Sequence, residues 1–279
     1  MKHKKRFSFG MLIAGILAVV FLIIIIFPFY WQIVTSVKDP ADISKIPTEL
    51  WPSRFSLDFY SNVFVHHHFD IYLKNSIIVS GGTMIFVILI ALPASYAFIR
   101  LRFKFKKFWN NFILMANMFP IIAVVTPLFV IFRKIHLINT YAGLIIPSMV
   151  ITLPMAIWTL NAFLQKIPID LEEAAMIDGT TRFQSVIKIV VPLMGPGLFT
   201  TAIISFITAW NELMFSLVLV TKNSMRTVPV GISMFPGQFS VPWGDMAAAS
   251  IVATLPIVLV VLICQKKIVA GLTAGAVKG

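Results

Sequence analysis

The chain has 279 residues, of which 58% are hydrophobic and only 12% charged, with mean hydropathy +0.91 and a net charge of +12. Soluble domains carry about a quarter charged residues, so this composition excludes an ordinary soluble protein and describes an integral membrane protein. In a membrane protein the basic surplus serves topology and anionic lipid, and no basic run carries the interleaved aromatics and glycines of an RNA-binding module, which sets nucleic acid aside.

Met1 to Arg6 carries Lys2, Lys4, Lys5 and Arg6, and Phe9 to Val34 is almost wholly apolar. A signal peptide has an apolar core of about 7–15 residues and ends at a small-residue cleavage site. This run is longer and ends in Phe27, Phe29, Tyr30 and Trp31, the pattern of an interfacial aromatic belt, so it is expected to be a retained first span. Lys38 to Lys74 is polar and proline-punctuated, a loop with short helical pieces at the membrane surface. Within it His66-His67-His68 invites a metal reading, but three consecutive histidines cannot share one face and no cysteine lies nearby, so a surface loop is expected.

Asn75 to Phe98 reads as the second span, with Pro93 inside it. Arg100, Arg102, Lys104, Lys106 and Lys107 follow, alternating with Phe103, Phe105 and Phe108. A short cytoplasmic topology anchor is preferred here over an anionic-lipid or partner patch. The third span is Phe112 to Phe132, the fourth Tyr141 to Leu164, the fifth Gly197 to Val220 and the sixth Met246 to Cys264. Thr221 to Pro242 is a loop. All six segments are of spanning length, since about 20 residues cross a hydrocarbon core. Cys264, the single cysteine, excludes an internal disulfide and a cysteine-rich metal site, and reads as inert filler.

Six spans put both termini on one side. With the termini inside, the inner segments hold fifteen Lys and Arg, counting Lys2, Lys4, Lys5, Arg6, Arg100, Arg102, Lys104, Lys106, Lys107, Lys166, Arg182, Lys188, Lys266, Lys267 and Lys278, against eight outside. The positive-inside bias therefore predicts both termini cytoplasmic, and with them the polar island between the fourth and fifth spans.

That island, Leu171 to Pro192, reads as two short helices. Asp170 is expected to cap the first, with Glu173 reaching back to it, and Gly179 to end it in a left-handed position. Thr181 and Gln184 form a second capping box, and Pro192 is expected to close the second helix. Glu173-Ala174-Ala175, three residues, Gly179, nine residues, then Ile189-Val190-Val191-Pro192 resembles the EAA loop of ABC-importer permeases. Only Val191 departs from the pattern, standing where the family has leucine. The resemblance implies a cytoplasmic coupling helix that docks on an ATPase subunit, with Glu172, Glu173, Ala174, Ala175, Asp178, Gly179, Arg182 and Pro192 as the coupling residues.

Glu212 is the only acid inside a predicted span, following Ala209-Trp210-Asn211. An ionisable group at membrane depth points to a polar pathway or an interhelical hydrogen bond, and a glutamate snorkelling from a helix end is the competing reading. Trp210 and Asn211 offer the aromatic face and amide of a sugar site, though such residues more often serve packing and helix association. The chain has no G-x-x-x-x-G-K-[ST] phosphate loop and no Ser/His/Asp or paired-carboxylate constellation in any one compartment, so an enzyme is not expected.

The six spans, Trp210-Asn211-Glu212, Thr227 to Gly231 and the ending Gly271 to Gly279, GLTAGAVKG, are together similar to carbohydrate-importer permeases of the maltose type, second-permease branch. Ala276 stands where glycine is common. The resemblance implies an all-α integral membrane chain with six transmembrane helices and the transmembrane domain of a type I ABC importer. It makes residues 1–279 one transmembrane domain, with the coupling loop at 165–196. It also implies a second homologous permease, two cytoplasmic ATPase subunits that bind ATP and Mg, and an extracytoplasmic sugar-binding protein facing the 221–243 loop. The tail would run towards the ATPases, and this chain itself would bind no cofactor. A permease for another solute, such as glycerol phosphate or a polyamine, is the first alternative. An ion-coupled carrier is the second, and it would require more than one buried acid.

Overall fold

The computed structural model describes residues 9–235, 237 and 241–276, with side chains described from Gly10 to Cys264 within those ranges. Lys2, Lys4, Lys5, Arg6 and Lys278 lie outside the described residues, as do the side chains of the GLTAGAVKG tail. The regular structure described is helical, with one isolated antiparallel bridge between Lys38 and Phe55. Two compact units are formed, Met1–Phe69 with Met234–Thr254, and Asp70–Ser233 with Leu255–Gly279.

In the first unit, helix α1 (Phe9–Ser36) carries the first span. None of its most apolar stretch is buried against the chain, so lipid or another subunit must cover it. Its end is tied down by polar bonds that a helix leaving the membrane can make. The Tyr30 hydroxyl donates to the Leu50 carbonyl at 2.7 Å, and Lys38 Nζ donates to the Glu49 carbonyl at 2.6 Å while lying 4.7 Å over the Trp31 ring. Helix α2 (Asp58–Val65) is the helical piece expected in the following loop, and it buries Phe59 and Val63. His66 and His68 are exposed, while His67 stacks on Phe235 at 4.1 Å and approaches Asp245 at 3.5 Å.

The second unit corrects several predicted bounds. Helix α3 (Phe69–Arg100) starts six residues before Asn75, with Asp70 in its first turn where the helix dipole favours an acid. The predicted third span is not one helix. Helices α4 (Lys106–Ala116) and α5 (Ile121–Lys134) meet at 92°, because Pro120 sits at the N-cap of α5 and has no N–H to continue α4. Helix α6 (Tyr141–Leu164) has the predicted bounds, its start capped by the Thr140 hydroxyl accepting from the Gly143 amide.

After α6 come α7 (Asp170–Ile177), α8 (Arg182–Ser185), a π-helical turn at Val186–Val190, and α9 (Val191–Leu193). Pro192 does not close this run. The missing proline N–H is absorbed by the π-turn, in which the Val191 amide reaches the Val186 carbonyl, and the chain stays helical to Leu193. It then bends by 76° into α10 (Gly195–Trp210). The predicted fifth span is also broken, at residues 211–213, before α11 (Met214–Leu219). The expected loop that follows holds α12 (Val228–Ser233), and α13 (Trp243–Ala276) carries the sixth span. Helices α1, α3, α6 and α13 are each long and apolar enough to cross a membrane, and the count reaches six when each bent pair is taken as one span.

Two apolar cores hold the second unit. One joins Val87 and Ala91 of α3 to Ala156, Leu160 and Leu164 of α6 and to Val190 and Met194, towards the end of the 165–196 segment. The other joins Val79, Val125, Phe132 and Leu144 to Phe215 and Leu219. Helices α6 and α10 approach closely because position 197 is glycine: a Cβ there would lie 2.5 Å from the Phe163 ring.

Candidate functional site

Helix α7 is positioned by local rules at both ends. Its N-cap is Ile169 and not Asp170: Ile169 is already in the helical region and accepts from the Glu172 and Glu173 amides, so the Asp170 carboxylate stands within the first turn and cannot fold back. Asp170, Glu172 and Glu173 still oppose the positive end of the dipole. The C-terminus is a full Schellman motif. The Thr180 amide donates to the Ala175 carbonyl at 3.0 Å and the Gly179 amide to the Met176 carbonyl at 3.1 Å, with Gly179 at φ +91°. The Thr180 hydroxyl donates to the same Ala175 carbonyl at 2.7 Å. The capping box of Thr181 and Gln184 is present in both directions and starts α8.

The predicted coupling residues divide by face. Glu172 and Ala175, three apart and hence on one side of the helix, are buried. Glu173, Ala174, Asp178, Gly179, Arg182 and Pro192 are exposed. Glu172 is 3% exposed, and its carboxylate is saturated by the chain itself. Arg100 Nε donates to Oε1 at 2.7 Å and the Tyr96 hydroxyl donates to Oε2 at 2.9 Å. Arg100 Nη2 also donates to the Ile167 carbonyl at 2.7 Å, so one guanidinium at the end of α3 grips both α7 and its approach. Composition and spacing give no signal for Tyr96 or Arg100, because the pairing is purely tertiary.

Facing outward beside these residues are Ile177, 86% exposed, and Phe183, 74% exposed, with Ile187 on the next turn. Apolar side chains this open on an otherwise polar loop form a surface that another protein can cover. Arg182 lines an adjoining open cleft of about 630 Å³ with Arg100, Arg102 and Phe103. Lys106 and Lys107 line a separate one with Asn110, Asn111, Trp158 and Asn161.

Trp210, Asn211 and Glu212 stand at the break of the fifth span. Trp210 is buried and stacks on Phe206 at 5.7 Å. Asn211 is exposed and its amide donates to the Ile207 carbonyl. The Glu212 carboxylate accepts from the Phe215 amide at 2.8 Å and the Ser216 amide at 3.2 Å. These are first-turn amides of α11, left without partners by the break, so the acid acts as a helix cap.

Two amides that sequence reasoning passed over organise the other end of this unit. Asn75, 1% exposed, donates to the Ser224 and Arg226 carbonyls and accepts from the Tyr141 hydroxyl. Asn139, at φ +58°, accepts from the Thr221 and Lys222 amides and so ties the α5–α6 turn to the end of α11.

A multi-pass helical chain whose spans are joined by a capped EAA helix with an apolar outward face is a membrane transport subunit. The chain belongs to the binding-protein-dependent transport system inner membrane component family, whose pattern matches residues 85–273. It is therefore a multi-pass inner-membrane permease with the type I importer fold, and a transport subunit rather than an enzyme. It is 42% identical to the trehalose/maltose transport system permease protein MalG of Thermococcus litoralis over 265 residues, covering 94% of this chain and 95% of that one. It is 44% identical to the trehalose transport system permease protein SugB of Mycobacterium tuberculosis over 254 residues, covering 90% and 92%. In fold it matches a chain of a crystallised bacterial ABC transporter involved in import of the acidic polysaccharide alginate, with TM-score 0.79 at 19% identity, over 94% of this chain and 99% of that one.

Proposed function

We propose that this chain is one of two permeases in an ATP-driven importer of a short oligosaccharide such as trehalose or maltose, and that it forms half of the translocation path. The whole chain acts as a single transmembrane domain, with residues 165–196 as its coupling loop. The partners are a second homologous permease, a pair of cytoplasmic ATPases that bind ATP and Mg, and an extracytoplasmic sugar-binding protein that meets the 221–243 loop. Both termini lie in the cytoplasm, in keeping with the fifteen-to-eight distribution of basic residues. The names of the relatives support the substrate class.

The observation that carries the coupling role is the two-sided character of α7. Its inner face is locked to the end of α3 through Glu172, Arg100 and Tyr96, and its outer side presents Ile177, with the exposed Phe183 of α8 beyond the Gly179 turn. A rigid element fixed to a spanning helix and open to a partner transmits the movement of that partner to the span. Glu173, Ala174, Asp178 and Arg182 contribute the outer contacts, Ala175 and Gly179 the shape, and Glu172 the anchorage. Pro192 marks the π-turn that joins the loop to the fifth span.

The test uses vesicles holding the complete importer, with labelled trehalose and maltose outside. Uptake is expected to require ATP and the binding protein, and to be lost in Gly179→Pro. Uptake driven by an ion gradient without ATP overturns this reading.

A further inference from the structure

We propose that the cleft between α4 and the end of α6 binds the headgroup of an anionic membrane phospholipid of the phosphatidylglycerol type. The cleft is about 540 Å³ and lies within the second unit. Its polar lining is Lys106, Lys107, Asn110 and Asn111 from the first two turns of α4 and Gln165 at the C-cap of α6. Phe98, in the last turn of α3, and Trp158 of α6 form an apolar wall.

Its position suits a headgroup. Helices α3 and α6 are both long and apolar enough to cross a membrane, and the cleft lies at the ends of both, where hydrocarbon gives way to headgroups. Helix α4 meets α5 at 92° and so does not continue the crossing that α5 makes. Its two lysines and two asparagines recur at i, i+3 and i+4 on one side, while Phe108 and Phe112 are exposed on the other. A helix with amines on one face and aromatic rings on the other lies in the membrane interface. Trp158, 53% exposed, puts an indole at the same level.

The five cations between Arg100 and Lys107 do not act alike. Arg100 is spent on Glu172 and the Ile167 carbonyl, and Lys104 lies 5.2 Å over the Phe105 ring. Lys106 and Lys107 line the cleft with no acid in its lining, so their charge there is uncompensated. Lys106 Nζ makes one long bond, 3.3 Å to the Leu101 carbonyl. Basic pockets between spanning helices bind anionic headgroups. The neighbouring amides of Asn110, Asn111 and Gln165 both donate and accept, which matches a phosphodiester flanked by glycerol hydroxyls. A choline headgroup has no hydroxyl to offer them and sets a fixed cation beside two lysines. An acidic protein surface would satisfy the lysines but not the exposed rings that flank them, which favours lipid.

The importer is purified in detergent, stripped of lipid and titrated with phosphatidylglycerol or phosphatidylcholine brominated near the start of the acyl chains. Tryptophan quenching is read, and Trp158→Phe isolates the part that reports the cleft. Phosphatidylglycerol is expected to quench that part at a concentration at least fivefold lower than phosphatidylcholine. In the double variant Lys106→Gln, Lys107→Gln its half-saturating concentration is expected to rise about tenfold or more, since each lysine near an anionic lipid contributes roughly fivefold. Lys104→Gln, outside the cleft, is expected to stay within about twofold of the native protein.

Equal quenching by the two lipids shows bulk bilayer and overturns the site. Absence of quenching at Trp158 shows that a partner subunit covers the cleft, and also overturns it. An equal loss in Lys104→Gln shows diffuse surface charge with the same consequence, and inorganic phosphate that competes on equal terms makes it a soluble-anion site. The comparison of the two lipids on the native protein stands however poorly the double variant assembles. Binding is measured without transport, so failure of trehalose and maltose uptake removes the proposed function and leaves the lipid site in place.

Discussion

Arg100 and Glu172, 72 residues apart in sequence, meet at 2.7 Å in a nearly buried ion pair that fastens α7 to the last turn of α3. The pair is not isolated, because Tyr96 satisfies the second carboxylate oxygen and the Ile167 carbonyl takes a further guanidinium N–H. Removing one member of such a pair leaves the other charge buried and uncompensated, which costs about 3 kcal/mol or more. Arg100→Ala and Glu172→Ala are therefore each expected to destabilise the chain by about 3 kcal/mol, with clearly less than the sum in the double variant. Thermal unfolding of the four proteins in detergent measures this, and strict additivity would show that the two residues act independently.

The outward face makes the opposite prediction. Ile177 and Phe183 are open, so Ile177→Asp and Phe183→Ala are expected to change the stability of the chain by no more than about 0.5 kcal/mol. Both are expected to lower co-purification of the ATPase subunits and coupled uptake together. Retained ATPase binding in both variants would move the docking surface elsewhere.

Gly179 is held at φ +91° between the two helices of the loop. Space is not the constraint, since a Cβ there meets nothing within 4 Å, so the cost of substitution is conformational. Gly179→Ala is expected to cost about 1–2 kcal/mol and Gly179→Asn less, because asparagine tolerates left-handed backbone. Ranking the variants by unfolding temperature and by uptake per ATP hydrolysed checks this. An alanine variant as stable as the native chain would show that the loop relaxes around the substitution.

Glu212 accepts from two backbone amides, and its replacement should read as the loss of a cap. Glu212→Leu is expected to lower stability by about 1–2 kcal/mol, and Glu212→Gln, which keeps one acceptor, by less. Neither is expected to alter the preference between trehalose and maltose in competitive uptake. A changed preference would place Glu212 on the translocation path as well.

Much of the architecture is legible without the fold. Apolar runs of spanning length mark the membrane segments, and α6 has its predicted bounds because Thr140 caps one end and the polar Gln165-Lys166 closes the other. The Schellman turn at Gly179 and the Thr181–Gln184 box follow from residues within one turn of each other, so spacing alone determines them. Hydropathy did not reveal the bend at residues 117–120 or the helix break at 211–213, because an apolar run keeps its composition when the helix is interrupted. It also did not set the first helical residue of α7, where Ile169 took the cap expected of Asp170.

Only the tertiary structure decided what the polar side chains do. Glu172 and Glu173 are adjacent and chemically alike, yet one is locked inside by Arg100 and the other faces out, since neighbouring helical residues point about 100° apart and only packing selects the inner one. Glu212 as a cap and Asn75 and Asn139 as clamps likewise depend on which backbone groups lie within about 3 Å. Sequence thus determined the class, the apolar segments and the local turns, which depend on short-range periodicity and capping. The roles of single polar residues waited on the fold, because hydrogen bonds between distant segments leave no trace in spacing.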